Sequence, residues 1–367
     1  MTKYIIRRVI GLIPLLLGII VISFTLMKLA PGGPQTQFNQ NPRVSEEQID
    51  EWLARWCLER ETTPQGLLRE FGGWFGFYNC QTESFLSESG GLNILPTALG
   101  GGSNGIIHGD LGLSIVSAQP VVSVIAERVP ATLILTSVAL VLWVAIAVLL
   151  GVVAAVKRYS LFDQVVTFLA YIFYSLPTFW LGLMFIFFFA VTLRWLPPQG
   201  IVSAREFPPF NTPQYWEAFG ADPLAAIVDL GAHLVLPVVV LILVNIAGDS
   251  RFVRASMLEA LNQDYVRTAR AKGLKRRTVI MKHTFRNAML PVVTNIALNL
   301  PFLFSGAIVT ETIFNWKGMG LLFIEGVEAR DYFLLMGLIM ITSTLVVVAN
   351  LVADVVYAVV DPRIRYD

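Results

Sequence analysis

The chain has 367 residues, 55% of them apolar and only 14% charged, with a formal net charge of +1. Soluble globular domains carry about 25% charged residues, so this composition excludes them, and disordered and fibrous chains with them. The distribution of the apolar residues then decides the class, because a bilayer is crossed by blocks of about 20.

The residues are blocked. Val9–Ala30, Ala131–Val156, Val165–Leu193, Leu230–Gly248, Asn287–Thr310 and Phe333–Ala353 are six apolar runs, interrupted inside only by Lys28 and His233. They predict an all-α membrane protein with six transmembrane helices and a large extracytoplasmic loop after the first. The expected organisation is 1–30, cytosolic N-terminus and first helix; 31–130, extracytoplasmic loop; 131–360, a five-helix core with a cytosolic loop at 251–286; and 361–367, a cytosolic tail.

Lys and Arg fix the orientation, since cytoplasmic loops carry their excess. With the N-terminus inside, seventeen fall on the inner segments, ten of them between Arg251 and Arg286, against nine on the much longer outer segments. Both termini are therefore expected in the cytosol. A cleaved signal peptide would have an apolar core of about 7–15 residues. The first run is longer and ends in Lys28-Leu-Ala-Pro-Gly-Gly-Pro34, which reads as a retained span.

The stretch 31–130 alone has soluble character, with eleven acidic residues against five basic ones. Ser45-Glu46-Glu47-Gln48 has the form of a capping box. Ile49, Trp52, Leu53 and Trp56 follow at the spacing of one helical face. Cys57 and Cys80, the two cysteines, both lie here. An extracytoplasmic compartment permits a disulfide between them; two unpaired thiols are the alternative. Further on, 194–229 is rich in proline and aromatic residues. Its rings suit the membrane–water interface, or a docking surface for an external partner.

Little here supports catalysis. His108, His233 and His283 are isolated and make no metal-ligand pattern, and no P-loop or nucleophile elbow is present. Ion-coupled transporters need ionisable groups inside their spans, and these runs are nearly free of them. Asp249 closes the fourth run and Asp354 lies near the end of the sixth, while Asn245, Asn295 and Asn299 are uncharged. For the asparagines, interhelical hydrogen bonding is the plain reading, and lining a polar path is the sharper one for Asn295 and Asn299. Energy is then expected from another subunit.

The segment 251–286 is the most informative. Phe252, Ala255, Leu258, Leu261, Tyr265 and Ala269 recur three or four apart as one apolar helical stripe. Gly273 offers a left-handed helix stop, and Lys275-Arg276-Arg277 opens a second amphipathic piece. Such a segment serves either as a basic loop against anionic lipid or as a short helix presented to a groove of a cytosolic partner.

Tyr265-Val-Arg-Thr-Ala-Arg-Ala-Lys-Gly-Leu274, followed by Arg286-Asn-Ala-Met-Leu-Pro291, resembles the cytoplasmic loop of ABC importer permeases of the dipeptide/oligopeptide/nickel family. So do Tyr4-Ile-Ile-Arg-Arg8, Ala30-Pro-Gly-Gly-Pro34, Gly109-Asp-Leu-Gly-Leu-Ser114, Glu311-Thr-Ile-Phe-Asn-Trp-Lys-Gly-Met-Gly320, Arg330-Asp-Tyr332 and Asp361-Pro-Arg363. Where the broad importer motif has Glu-Ala-Ala, this chain has Arg267, Thr268 and Ala269. The resemblance implies a type I ABC importer permease-like fold. It also implies a coupling role toward an ATPase subunit for Tyr265, Ala269, Lys272, Gly273 and Leu274. The implied partners are a second permease, two ATPase subunits that bind the ATP and Mg, an extracytoplasmic solute-binding protein and membrane lipid, with no nucleic acid and no cofactor in this chain. An ATP-independent secondary transporter or channel, and a non-transporting membrane scaffold, are the rival readings.

Overall fold

The computed structural model describes residues 2–29, 71, 109–114, 116–117, 119–305 and 307–360. The amphipathic helix expected at Ile49–Trp56, the pair Cys57 and Cys80, and the tail 361–367 lie outside the described residues. Among those described, no strand forms beyond an isolated antiparallel bridge between Leu113 and Pro120.

The first helix, α1 (Thr2–Leu29), carries the first apolar run. Next come α2 (Val121–Val156), α3 (Leu161–Ser175) and α4 (Thr178–Phe185), which continues as a π-helical stretch Ile186–Thr192. The short α5 (Pro213–Ala221) leads into the long α6 (Pro223–Leu261) and then α7 (Asp264–Ala271). A turn α8 (Arg276–Thr278) and a π-helical stretch Val279–Thr284 precede α9 (Phe285–Ala297). The chain closes with α10 (Phe302–Ser305), α11 (Ile308–Ile313), α12 (Met319–Glu328) and α13 (Tyr332–Val360).

Among the described residues, four helical stretches are long and apolar enough to cross a membrane: Val121–Val156, Pro223–Leu261, Arg276–Phe304 and Tyr332–Val355. A fifth arises if Leu161–Ser175 and Thr178–Thr192 count as one span, and the first expected run keeps a shorter apolar piece, Pro14–Thr25. The third run is not the straight helix its composition suggests, because its two halves meet at 102°. Leu176 is extended (ψ 132°) ahead of Pro177; the proline ring disfavours helical backbone at the residue before it.

Local chemistry starts the helices. Thr212 accepts from Tyr215 N and Asp222 from Ala225 N, each just before a proline at the first helical position. The helix α6 exceeds its apolar run at both ends and continues through Asp249, Arg251 and Arg254 to Leu261. Its buried face there is Val253, Met257 and Ala260, not the expected stripe of Phe252, Ala255 and Leu258. Apolar residues stand on several sides of this stretch, and Phe252 is 39% exposed. The stripe also does not run on as one helix, since α6 ends at Leu261 and Gln263 is extended before α7.

Contacts divide the chain into two compact units, one of residues 1–10, 128–321 and 344–367, the other of 11–127 and 322–343. The first unit's core holds Leu135, Trp143, Ile246 and Trp316. A second cluster joins Ala155, Val253, Met257, Ala288 and Val292, and a third Leu181, Leu236, Val240 and Phe314. Meanwhile Val141, Leu149, Phe168, Val191 and Leu224 are well exposed. Apolar exposure on this scale marks a surface made for lipid or protein.

In the second unit Asp331, fully buried, accepts from Ser114 Oγ at 2.6 Å and from Leu334 N at 3.1 Å. It therefore caps the start of α13 and ties down the turn 109–114. Gly112 has φ +89°, and a Cβ there would come within 2.8 Å of the Phe333 ring. Only glycine meets both demands.

Candidate functional site

Three polar constellations of the first unit stand apart from its apolar packing. The first is the loop around α7. Val266 and Ala269 are buried against Val279, while Tyr265 (38%) and Leu274 (41%) are exposed, as are Arg267, Arg270, Lys272 and Gly273. The helix ends as the sequence predicts. Gly273 has φ +73°, its N–H donates to Arg270 O at 2.9 Å, and Leu274 N donates to Ala269 O at 3.4 Å. This pair of bonds with a left-handed glycine is a Schellman stop. A Cβ on Gly273 would meet nothing within 4 Å, so backbone conformation alone demands glycine there. Of the expected coupling residues, Tyr265, Lys272, Gly273 and Leu274 are presented outward, whereas Ala269 packs inward and holds the helix to its base.

The second constellation crosses three helices. Asp249 on α6 accepts from Trp143 Nε1 of α2 at 2.6 Å and from Asn295 Nδ2 of α9 at 2.8 Å. Both carboxylate oxygens are engaged, which removes the chief liability of a charge among apolar helices. Asn295 thus fulfils the plain expectation of an interhelical bond. It also borders a cavity of about 650 Å³ that reaches Tyr265 and is lined by Glu259, Gln263, Asn287 and Thr294. Asn299, in the turn just past α9, donates its Nδ2 to Asn295 O four residues back and is not part of that wall; Asn245 bonds to Leu241 O within α6.

Nearby, Arg254 Nε and Nη2 donate to the two oxygens of Asp163 at 2.7 and 2.8 Å. Asp163 is 4% exposed and also accepts from Tyr159 N at 3.0 Å. Such a two-pronged guanidinium–carboxylate contact fixes direction as well as distance. It locks the start of α3 to α6 ten residues ahead of α7. Neither composition nor spacing marks this pair. Ser160, whose hydroxyl accepts from Asp163 N, offered the only local signal, a helix-start pattern.

The third constellation is the turn after α11, within the motif Glu311–Gly320 that carries part of the family resemblance. Glu311 is fully buried. Its Oε2 accepts from Gly320 N at 2.7 Å and Leu321 N at 3.1 Å, and its Oε1 from Thr132 Oγ1 at 3.0 Å. Thr132 Oγ1 in turn accepts from Met319 N at 2.7 Å, and Trp316 Nε1 donates to Ala131 O. A Cβ on Gly318 would overlap Thr132 Oγ1 and lie 2.6 Å from Glu311 Oε2; on Gly320 it would lie 2.8 Å from Ile308 Cα. Burial pushes the Glu311 carboxyl above the usual carboxylate range, opposed by these hydrogen bonds. No group of His, Cys, Asp and Glu that could hold a metal is present among the described residues.

Residues 147–366 match the family of binding-protein-dependent transport system inner membrane components. This chain belongs to that family. As such an inner membrane component it is a permease subunit of a binding-protein-dependent transport system. Full-length relatives include the oligopeptide transport system permease protein AppB of Bacillus subtilis, 37% identical over all of both chains. The dipeptide transport system permease protein DppB of Escherichia coli K12 is 36% identical over all of this chain and 99% of that one. Among solved structures, an inward-facing MetNI methionine ABC transporter chain matches with a TM-score of 0.50 at 16% identity, over 65% of this chain and 97% of its own. At that identity the match speaks for the fold alone, an ABC importer permease core.

Proposed function

We propose that this chain is one of two permease halves through which peptides or peptide-like solutes enter the cytosol. An extracytoplasmic binding protein would deliver the solute, and two separate ATPase subunits would supply the energy. The observation that carries the substrate class is the full-length likeness to permeases named for oligopeptide and dipeptide transport. The chain itself would hydrolyse no ATP and hold no cofactor. It would cross the cytoplasmic membrane six times with both termini in the cytosol, as the distribution of Lys and Arg supports.

In this arrangement α7 docks into an ATPase groove through Tyr265, Lys272, Gly273 and Leu274, with Ala269 anchoring it from below. The amide-lined groove bordered by Asn295 would form part of the solute path, with Asn299 one turn further along. The test is purification of the tagged chain from its native membrane in mild detergent, with mass spectrometry of its companions, beside peptide uptake in a strain lacking it. ATPase subunits plus a second permease, and uptake that returns with the chain and stops without ATP, are the expected results. A chain recovered alone in several detergents, or uptake that survives ATP depletion, overturns the reading.

A further inference from the structure

We infer that the back of the coupling loop holds the headgroup of an anionic phospholipid from the cytosolic leaflet. A cavity of about 430 Å³ lies between the ends of α2 and α6 and the segment 270–280, within the range of small-molecule sites. Its lining is mostly apolar, Val156, Leu261, Leu274, Val279 and Ile280, and includes two arginines, Arg270 and Arg276. No carboxylate is part of that lining. Among the described residues neither arginine has an acidic partner, in contrast to Arg254 and Arg267, which pair with Asp163 and Asp264.

An apolar lining that carries two unpaired arginines is complementary to one kind of ligand, a phosphate attached to hydrocarbon. Guanidinium grips phosphate oxygens in pairs, and Val156, in the lining, is the last residue of the apolar helix α2. Lys157 and Arg158 follow it directly, adding to the field that draws anionic lipid to such a site. Tyr265 and Lys272, outside this lining, would stay open to the ATPase while Leu274 borders the lipid. This inference rests on the membrane orientation proposed above and not on the coupling role.

The complex, isolated through a tag on this chain and stripped of lipid, would be titrated with phosphatidylglycerol and followed by native mass spectrometry. Arg270→Gln with Arg276→Gln should weaken binding by about thirtyfold, the effect of two such cations. Arg277→Gln with Lys282→Gln removes the same charge outside the cavity and should change it by about threefold or less. Phosphatidylcholine should not bind there, and inorganic phosphate should displace the lipid only weakly. Arg276→Gln alone should cost about fivefold, a second reading if the pair fails to assemble. Equal weakening in both double variants, equal binding of phosphatidylcholine, or ready displacement by inorganic phosphate would overturn the site. So would release of the ATPase subunits with lipid binding unchanged, which would assign the cavity to protein. Lipid retention is read without any transport, so its failure stays distinct from failure of the importer reading.

Discussion

Around Glu311 both carboxylate oxygens find donors within the same turn or on the helix beside it, whereas along Asp264–Leu274 the side chains of Tyr265, Arg270 and Lys272 are exposed. Both stretches belong to the first unit and both depend on a glycine, but for different reasons. Gly318 and Gly320 are required by lack of room, Gly273 by backbone conformation with room to spare. A saturated turn holds shape; an exposed one leaves its groups available. Polar residues in this chain therefore divide by whether their hydrogen bonds are already made.

Glu311→Ala should break that contrast most severely. It leaves the amides of Gly320 and Leu321 and the Thr132 hydroxyl without their acceptor, at about 3 kcal/mol or more in total, read as lost abundance and a lower Tm of the purified complex. Glu311→Gln should lose much less, since an amide oxygen can still take both backbone donors and its nitrogen can donate to Thr132. Next in size is Arg254→Ala, which strands the buried Asp163 carboxylate and should destabilise by about 2 kcal/mol, less than a fully enclosed pair because Arg254 is partly exposed. Arg254→Lys should recover only part of this in the same melting measurement, for want of the second prong.

Gly273→Val should leave the fold intact and strain the left-handed stop by about 1–2 kcal/mol, so ATP hydrolysis persists while uptake falls about tenfold. Gly273→Asn, a residue that tolerates this conformation, should stay within about twofold. Uptake assays paired with ATPase assays on the reconstituted complex decide it, and equal loss in both variants would break the comparison.

The smallest effect is a pH slope. Because burial raises the folded-state carboxyl of Glu311, the folded chain binds its proton more tightly than the unfolded one. The associated stability is present below the unfolded-state value and lost as pH rises through the folded-state value. Melting temperature should fall across that window in the parent, and Glu311→Gln should flatten the fall.

Much of the fold was legible, and the gaps have causes. Apolar runs report what faces hydrocarbon, so they located the four long apolar helices and the bent pair but not the polar extension of α6, which packs through Val253, Met257 and Ala260 over residues a bilayer criterion ignores. The bend at Pro177 was written in the sequence yet hidden inside an apolar run. The Schellman stop at Gly273 was legible because a local rule governs it. Glu311 was legible as the start of a family-like motif but not as a buried acceptor: its partner Thr132 is 179 residues away inside an apolar run, and no local pattern marks a carboxylate that will be buried. Ser114 and Asp331, 217 residues apart, stood in two motifs that drew attention separately, and only folding joins them.

The helix α7 is eight residues long, well below the about 12–15 residues at which an isolated helix becomes even marginal in water. Its helicity is therefore borrowed from Val266, Ala269 and Val279 beneath it. If α7 docks as proposed, a linear peptide copied from 263–275 would arrive at the ATPase groove as a coil and bear the whole cost of nucleation on binding. A competitive inhibitor cut from this loop would need a covalent brace, placed on the side that Val266 and Ala269 occupy, so that the outward residues stay free.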